Sequence, residues 1–460
     1  MSVFEQNIMT KVYLDDTDVL IANVINSEYI DGHTEYIIRV QKEHCPEGKW
    51  YVKRRYNDFL ALHQAIQASG LPLDFPPKKY IGNLNQKFIF ERQTALQVYL
   101  DEVMVIPILA LSFELKKFLD PFNYKNVSRE SVLSELRVCV RSDVDIKFVK
   151  QLPQLGWRFR KQSFIVSLKN VPKKEYILHW IPFGPDKYLD DEDLWSVIKS
   201  FTSLQHVNIV KIEKAGVCRG GGWIIQDIKG ETLKDKLFEV KDPLNTSALK
   251  KYANESKKKT LSVNEVIEIS SQILQAIAFL HHKGIPYGHL HIGNILLDGN
   301  SVKLFGIENT LFGLPFYYRN YLINCRCIDS LKSVDVYCFG LTLYEMLFVK
   351  PFSKDIPENC PPDLKNVLET ILISKVAKNS LPTIKDLLNL PIFRRPPPNP
   401  QPYFKILQNV LEKLSVTSGN TMARLKLDSE KAREHKKAKT VLRLLTEKVD
   451  VLPSLPMPQT

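Results

Sequence analysis

Apolar residues recur along this chain with two periods, and the period changes with position. Residues 20–24, 34–40 and 49–53 are short runs rich in β-branched and aromatic side chains, with Asp31-Gly32 as a turn between the first two. Such runs predict strands. From Asn57 or Asp58, read as a helix cap, the period lengthens, and Phe59, Leu62 and Ile66 share one face of a helix that Gly70 ends. Pro72, Pro76 and Pro77 forbid regular structure in the next loop, after which residues 88–100 and 106–119 read as helices. A small sheet followed by helices is an α+β domain, placed at residues 8–125.

A second and larger cycle follows a stretch of mixed polarity at 126–150, which reads as a linker. Strand-like runs at 164–168, 176–180 and 223–227 precede long helical patterns. Ser262-Val263-Asn264-Glu265 is a capping box opening a helix with Val266, Ile269, Ile273, Ile277 and Leu280 on one face, ending near Gly284. Residues 295–300 read as a strand running into a tight turn, and the second unit spans residues 151–395. The tail, 396–460, starts with a stiff proline-rich linker at Pro396, Pro397, Pro398 and Pro400. Residues 404–414 form a short amphipathic helix, 425–448 alternate in charge as a solvated helix does, and Pro453, Pro456 and Pro458 predict an unstructured end.

Composition narrows the class. A chain of 460 residues has room for two or three domains, and 44% hydrophobic residues suffice for packed cores. A net charge of +12 favours an anionic partner, either nucleic acid or an acidic membrane face. The clustered basic-aromatic repeats of a nucleic-acid binder are missing, so no nucleic acid is expected. Seven scattered cysteines without a CxxC pair read as reduced thiols, with no disulfide framework and no metal site. Glu5, Asp15 and Asp16 break any signal-peptide pattern, and no run approaches the roughly 18 apolar residues of a spanning helix. A cytoplasmic protein with peripheral membrane contact is expected.

The candidate chemistry of the first unit lies in Lys53-Arg54-Arg55-Tyr56-Asn57-Asp58-Phe59 and Phe75-Pro76-Pro77-Lys78-Lys79-Tyr80-Ile81-Gly82. An R-R-Y-x-x-F motif, a proline-rich loop and a helix bearing an arginine, in that order, resemble the PX domain, the phosphoinositide-binding module of sorting nexins. The resemblance implies that Arg55 grips the 3-phosphate, as in phosphatidylinositol 3-phosphate, and that Tyr56 lies under the inositol ring. It also implies that Lys78 faces the 1-phosphate, that Arg92 bonds the far side of the ring, and that Tyr80 and Ile81 enter the lipid interface. The side-chain chemistry agrees: a guanidinium fork meets phosphate oxygens bidentately, and a lysine acts as a point charge. The plain alternative is a solvated strand end beside a shaped loop.

In the second unit, Tyr287-Gly288-His289-Leu290-His291-Ile292-Gly293-Asn294 stands between the long helix and the strand-turn. It resembles the protein-kinase catalytic loop, H-R-D-L-x-x-x-N, with Leu290 and Asn294 kept and His289 where the catalytic carboxylate belongs. Asp335-Val336-Tyr337-Cys338-Phe339-Gly340 resembles the D-V-W-S-F-G helix start of the kinase large lobe, and His206-Val207-Asn208-Ile209-Val210 the H-P-N-I-V turn. The resemblance implies a two-lobed protein-kinase-like α+β fold in which Asp335 holds the loop backbone. The catalytic positions are degraded. Of the glycine-rich turn only Gly156 remains, followed by Trp157 and Arg158. Alignment of V-A-I-K with 177–180 puts Trp180 at the lysine position, and the partner-glutamate position falls near Val197. The D-F-G triplet aligns with Gly306-Ile307-Glu308 or, in the other possible register, with Leu304-Phe305-Gly306, and neither has the aspartate. Phosphoryl transfer needs a base, metal-holding carboxylates and a lysine on the phosphates, and no residue stands out as compensation.

The two units in this order resemble the PX-domain-containing serine/threonine-kinase-like proteins. What the resemblance implies is a phosphoinositide-binding peripheral membrane adaptor that uses a pseudokinase as an interaction scaffold in endosomal or plasma-membrane trafficking. Its partners would be 3-phosphorylated phosphoinositides and, through the kinase-like unit and tail, membrane cargo or other proteins. No catalytic residue, metal or cofactor is assigned; ATP held without metal is one alternative, and an active atypical serine/threonine kinase brought to membranes by its first domain is the other.

Overall fold

The computed structural model describes residues 19–43, 45–78, 85–124, 129–140, 145–152, 161–218, 220–241, 248–253, 258–373 and 381–449. In the first unit β1 (Leu20–Ile30), β2 (His33–Lys42) and β3 (Cys45–Arg55) form an antiparallel sheet in the order β1-β2-β3. Ala22 pairs with Val40, and Val24 with Ile38, which in turn pairs with Val52. These residues are buried together, so one face of the sheet is the core face. The strands outrun the expected ones because cross-strand pairing carries polar residues, such as Asn23 opposite Arg39, that an apolar pattern omits.

α1 (Tyr56–Ile66) begins before the expected cap: Arg55 is the capping position, and its N–H donates to Asp58 Oδ2 at 2.8 Å. Asp58 therefore acts from inside the first turn, where a carboxylate also favours the helix dipole. α2 (Gln86–Val105) and α3 (Pro107–Ala110) follow, then α4 (Phe113–Leu119) and α5 (Pro121–Tyr124). The single helix expected over 106–119 is two, because Ser112 Oγ accepts from Leu115 N–H at 3.3 Å and starts a new one.

Within the stretch read as linker, α6 (Arg129–Cys139) and β4 (Ile146–Leu152) already belong to the second unit's sheet lobe. β5 (Gln162–Leu168), β6 (Val171–Pro182), α7 (Asp191–Ser200), β7 (Ile212–Cys218) and β8 (Gly221–Gln226) complete it, with antiparallel order β4-β5-β6-β8-β7. Val132 and Leu136 of α6 pack with Phe164, Leu178 and Trp180, covering one face of this sheet.

The helical lobe contains β9 (Glu231–Thr232), α8 (Leu233–Leu237), α9 (Ala248–Tyr252), α10 (Val263–His282), β10 (Ile295–Asp298) and β11 (Ser301–Leu304). It continues through α11 (Arg319–Leu322), α12 (Leu331–Phe348), α13 (Pro362–Leu368) and α14 (Ile384–Asn389). The capping box that opens α10 is present: Glu265 N–H donates to Ser262 Oγ at 3.2 Å, and Ser262 N–H to Glu265 Oε2 at 2.9 Å. The fold class is thus as expected, a small antiparallel sheet with helices followed by a sheet lobe and a helical lobe.

Two expectations change. The tail is one helix, α15 (Gln408–Val449), where two were expected; its start is docked, while Glu430, Lys431, Arg433, Glu434, Lys436 and Lys437 are exposed as a solvated face. Thr417, Thr421, Met422 and Leu425 are buried, Lys413 pairs with Asp193 of α7 at 2.7 Å, and Arg319 of α11 pairs with Asp428 at 2.5 Å. Asp428, near the start of the stretch read as solvated, is thus a partner of the helical lobe. Leu425→Ala is expected to cost about 2 kcal/mol, as buried leucine truncations do, and a lowered midpoint in chemical unfolding checks it. The cysteines are less scattered than expected: Cys139 lies against Cys218, with Cα atoms 5.9 Å apart, and Cys325 against Cys327. The first pair closes a 79-residue separation that spacing cannot reveal. Among the described residues, no helix is long and apolar enough to cross a membrane.

Candidate functional site

Where β3 ends and α1 begins, three consecutive side chains diverge. Arg54 turns inward, donating through Nε and Nη2 to Phe118 O at 2.9 and 2.5 Å, with its guanidinium carbon 5.1 Å from the Phe118 ring centre. Burial lowers its pKa below the usual arginine value. Arg55 is exposed. Tyr56 is buried, and its hydroxyl donates to Pro76 O at 2.8 Å, pinning the proline loop to the helix.

Arg92 arrives from α2 and lies 4.3 Å from the ring centres of both Tyr56 and Phe88. Its charge also favours ionisation of the Tyr36 hydroxyl, against the burial that raises that group's pKa. Its Nη2 is buried without a hydrogen-bond partner among the described residues. A buried guanidinium donor left over in this way suits an anionic acceptor from outside the chain. Lys78 is exposed two residues beyond Pro76, while Tyr80 and Ile81 lie outside the described residues. Tyr56, the proline loop and Arg92 are therefore in direct contact, with Arg55 on the adjoining helix start. What sequence reasoning missed is that Tyr56 is a platform for Arg92.

The second candidate site surrounds the stretch 287–294. Asp335 of α12 accepts from Tyr287 N–H at 2.8 Å, Gly288 N–H at 2.5 Å and His281 Nε2 at 2.7 Å, so it holds the loop backbone as the motif suggested. Gly288 has φ +78°, and a Cβ there would stand 2.8 Å from Thr310 Oγ1. The arginine of the kinase pattern does not fit this backbone. His289 is 2% exposed and packs against Phe316, ring centres 5.5 Å apart; His291 is buried and stacks on Tyr317 at 4.4 Å. Asn294 Nδ2 donates to His289 O at 2.9 Å, which uses it inside the loop. The imidazoles that could serve as bases lie under aromatic rings.

Strand register settles the lysine position. Ser163 pairs with His179 and Ile165 with Ile177, so these four side chains share the sheet face that carries Leu152 and Ile228. Trp180 points to the opposite face, against α6. The alignment that put Trp180 at the lysine position is therefore off by one, and His179 faces the cleft. Its Nδ1 lies 2.8 Å from Ser163 Oγ, and burial, reinforced by Lys161, pushes the imidazole well below its usual range. Val197 of α7 is buried and Glu192 exposed, so no glutamate enters from that helix. Gly156, Trp157 and Arg158 lie outside the described residues.

A lysine and a carboxylate do meet in the cleft, and the sequence reading did not bring them together. Lys161 Nζ stands 3.9 Å from Glu308 Oε1, with side chains 9% and 0% exposed. Burial raises the Glu308 pKa more than Lys161 lowers it. Two signals were available: Lys161 immediately precedes β5, and Glu308 is the third residue of the D-F-G-aligned triplet.

Magnesium-bound nucleotide, which the kinase fold implies, does not fit these residues. Gly306, at the metal-carboxylate position, has φ +82°, and a Cβ there would meet Asn309 Nδ2 at 2.6 Å. Among the described residues no group of three His, Cys, Asp or Glu side chains could hold a metal ion. Gly306→Asp is accordingly expected to lower the melting temperature without creating a magnesium-dependent shift with ATP, because left-handed backbone costs about 1–2 kcal/mol for a residue with a Cβ. Differential scanning fluorimetry with and without MgCl₂ checks both parts.

Comparison with known proteins identifies both units. The family described as PX domain matches residues 43–122, and the family described as protein kinase domain matches residues 165–415. The mouse PX domain-containing protein kinase-like protein is 39% identical over 446 residues, covering 95% of this chain and 76% of that one. The Slowpoke-binding protein of Drosophila melanogaster is 27% identical over 272 residues, 54% of this chain and 52% of its own. A probable inactive serine/threonine-protein kinase, slob1 of Dictyostelium discoideum, is 29% identical over 136 residues, 29% of this chain and 23% of its own. Since the mouse likeness runs through nearly the whole chain, across the first unit and both lobes behind it, the chain belongs to the PX domain-containing protein kinase-like family.

Proposed function

We propose that this protein is a phosphoinositide-binding peripheral membrane adaptor whose kinase-like domain serves as an interaction scaffold without phosphate transfer. The observation that carries the reading is a contrast between the two sites. Arg55 and Lys78 are exposed and Arg92 keeps a donor without a hydrogen-bond partner among the described residues, whereas His289 and His291 are buried beneath Phe316 and Tyr317. One site is open to an anion; the other is shut to a substrate hydroxyl.

The lipid preference is for 3-phosphorylated phosphoinositides, with Arg55 on the 3-phosphate, Lys78 on the 1-phosphate and Arg92 on the ring. Each basic residue near an anionic leaflet adds about 1 kcal/mol, so one such site binds weakly and reversibly. Endosomal or plasma membranes that also carry a protein partner would hold the molecule longer through two linked contacts. A Drosophila relative named for binding Slowpoke supports a protein partner for the kinase-like domain and tail.

The test has two arms. Purified protein should sediment with vesicles containing phosphatidylinositol 3-phosphate and not with phosphatidylcholine vesicles. The same protein should transfer no radiolabelled phosphate from ATP to itself or to a basic peptide. Equal sedimentation with both vesicles would sink the lipid half. The meeting of Lys161 and Glu308 favours one second reading, an atypical kinase with relocated groups; phosphate transfer lost in Lys161→Met would establish it.

A further inference from the structure

The cleft supplies its own charge where the kinase fold receives magnesium and triphosphate. Lys161 reaches toward Glu308 from the start of β5, its Nζ 5.8 Å from the centre of the Phe305 ring. Neither oxygen of Glu308 has a hydrogen-bond partner among the described residues, and the side chain is fully buried. Further along the same sheet face, Gln226 is fully buried opposite Ile177, and its amide nitrogen and oxygen both lack hydrogen-bond partners among the described residues. The wall beside it is apolar, formed by Leu152, Ile165, Ile177 and Ile228. The cleft thus has an apolar end with an amide and a polar end with one cation and one anion.

We propose that Lys161 and Glu308 are a built-in substitute for metal and triphosphate: the carboxylate holds the lysine that would otherwise take an anion, so the cleft refuses magnesium-bound nucleotide. A triphosphate entering the polar end meets the Glu308 carboxylate, and like charges at short range in a buried site repel strongly. A divalent cation cannot bridge that repulsion, since the Glu308 carboxylate already faces a lysine, Gly306 supplies no second one, and no metal-holding group of His, Cys, Asp or Glu stands among the described residues. Removing the carboxylate while keeping its shape takes away the negative charge that faces the buried ammonium, which favours an anion in its place. Glu308 then acts as a gate on a latent, metal-independent polyphosphate site whose cation is Lys161. This goes beyond the adaptor reading, which survives even if magnesium-bound ATP enters the cleft without transferring phosphate.

The experiment uses the full chain as wild type, Glu308→Gln, and the double variant Lys161→Met/Glu308→Gln. Fluorescently labelled ATP is titrated in EDTA and in MgCl₂, with circular dichroism as the control for folding. Glu308→Gln should bind ATP at least about ten-fold more tightly than wild type, equally in both buffers, and the double variant should lose that gain. Wild type should bind ATP weakly or not at all in either buffer and show no tightening on adding magnesium. Magnesium-dependent tightening in wild type overturns the proposal, as does a folded Glu308→Gln without gain. Were Glu308→Gln not to fold, the wild-type comparison between EDTA and MgCl₂ decides alone.

Discussion

Arg55→Ala is expected to reduce binding to vesicles containing phosphatidylinositol 3-phosphate by about 10- to 100-fold and to leave the melting temperature unchanged. A charge-assisted hydrogen bond is worth roughly 1.5–3 kcal/mol, and about 1.4 kcal/mol is a factor of ten in affinity. An exposed guanidinium gives the fold little in return: what Arg55 contributes to α1 is its backbone N–H, donated to Asp58, and alanine keeps that bond. The adjacent arginine is the control. Arg54 carries the same charge but spends it on the Phe118 carbonyl and ring, so Arg54→Ala strands a buried acceptor and removes packing. That variant should melt earlier, by a loss of about 1–3 kcal/mol. Vesicle sedimentation and thermal unfolding of both variants separate the roles. An Arg55→Ala protein that sediments like wild type would remove the lipid site from the position assigned to it.

Local rules made some elements legible and left others hidden. The capping box at Ser262 and Glu265 and the helix it opens are written within a few residues, and they form as read. Asp335 was legible through its motif, and it holds the loop at Tyr287 and Gly288. The phase of β6 was not legible, for a physical reason. Tyr176, Ile177, Leu178, His179 and Trp180 are all buried, since one face of the strand packs on α6 and the other on the cleft and core. A strand covered on both faces lacks the polar alternation that would phase it.

The meeting of Lys161 with Glu308 is a product of tertiary folding, as is the pairing of Cys139 with Cys218. The docked tail sits between these cases. Val410, Leu414, Thr417, Thr421 and Leu425 recur at helical spacing through the charges, a narrow stripe that is all buried. Dense charge masked that stripe because several of the charges, Lys413, Arg424 and Asp428 among them, have partners in the lobes or along the helix.

The largest loss of stability is expected from Asp335→Ala. Asp335 is fully buried and accepts three donors: the N–H groups of Tyr287 and Gly288 and the Nε2 of His281. Alanine satisfies none of them, and each buried group left unpaired costs about 1–3 kcal/mol. The sum is comparable to the stability of a whole domain, about 5–15 kcal/mol, so the kinase-like domain should be largely unfolded at 37 °C. Asp335→Asn keeps one carbonyl acceptor but turns an NH₂ toward a donor, and should fall between wild type and alanine.

The lipid site provides the internal control. The first unit has its own buried core of Tyr36, Phe59, Leu96, Tyr99 and Leu100, so vesicle binding should outlast the loss of the second unit in a thermal series. Thermal unfolding followed by circular dichroism, beside sedimentation at each temperature, measures both. An unchanged melting profile in Asp335→Ala would mean that water replaces the carboxylate in the loop. The preserved aspartate would then have to be explained by what the loop does rather than by how it is held.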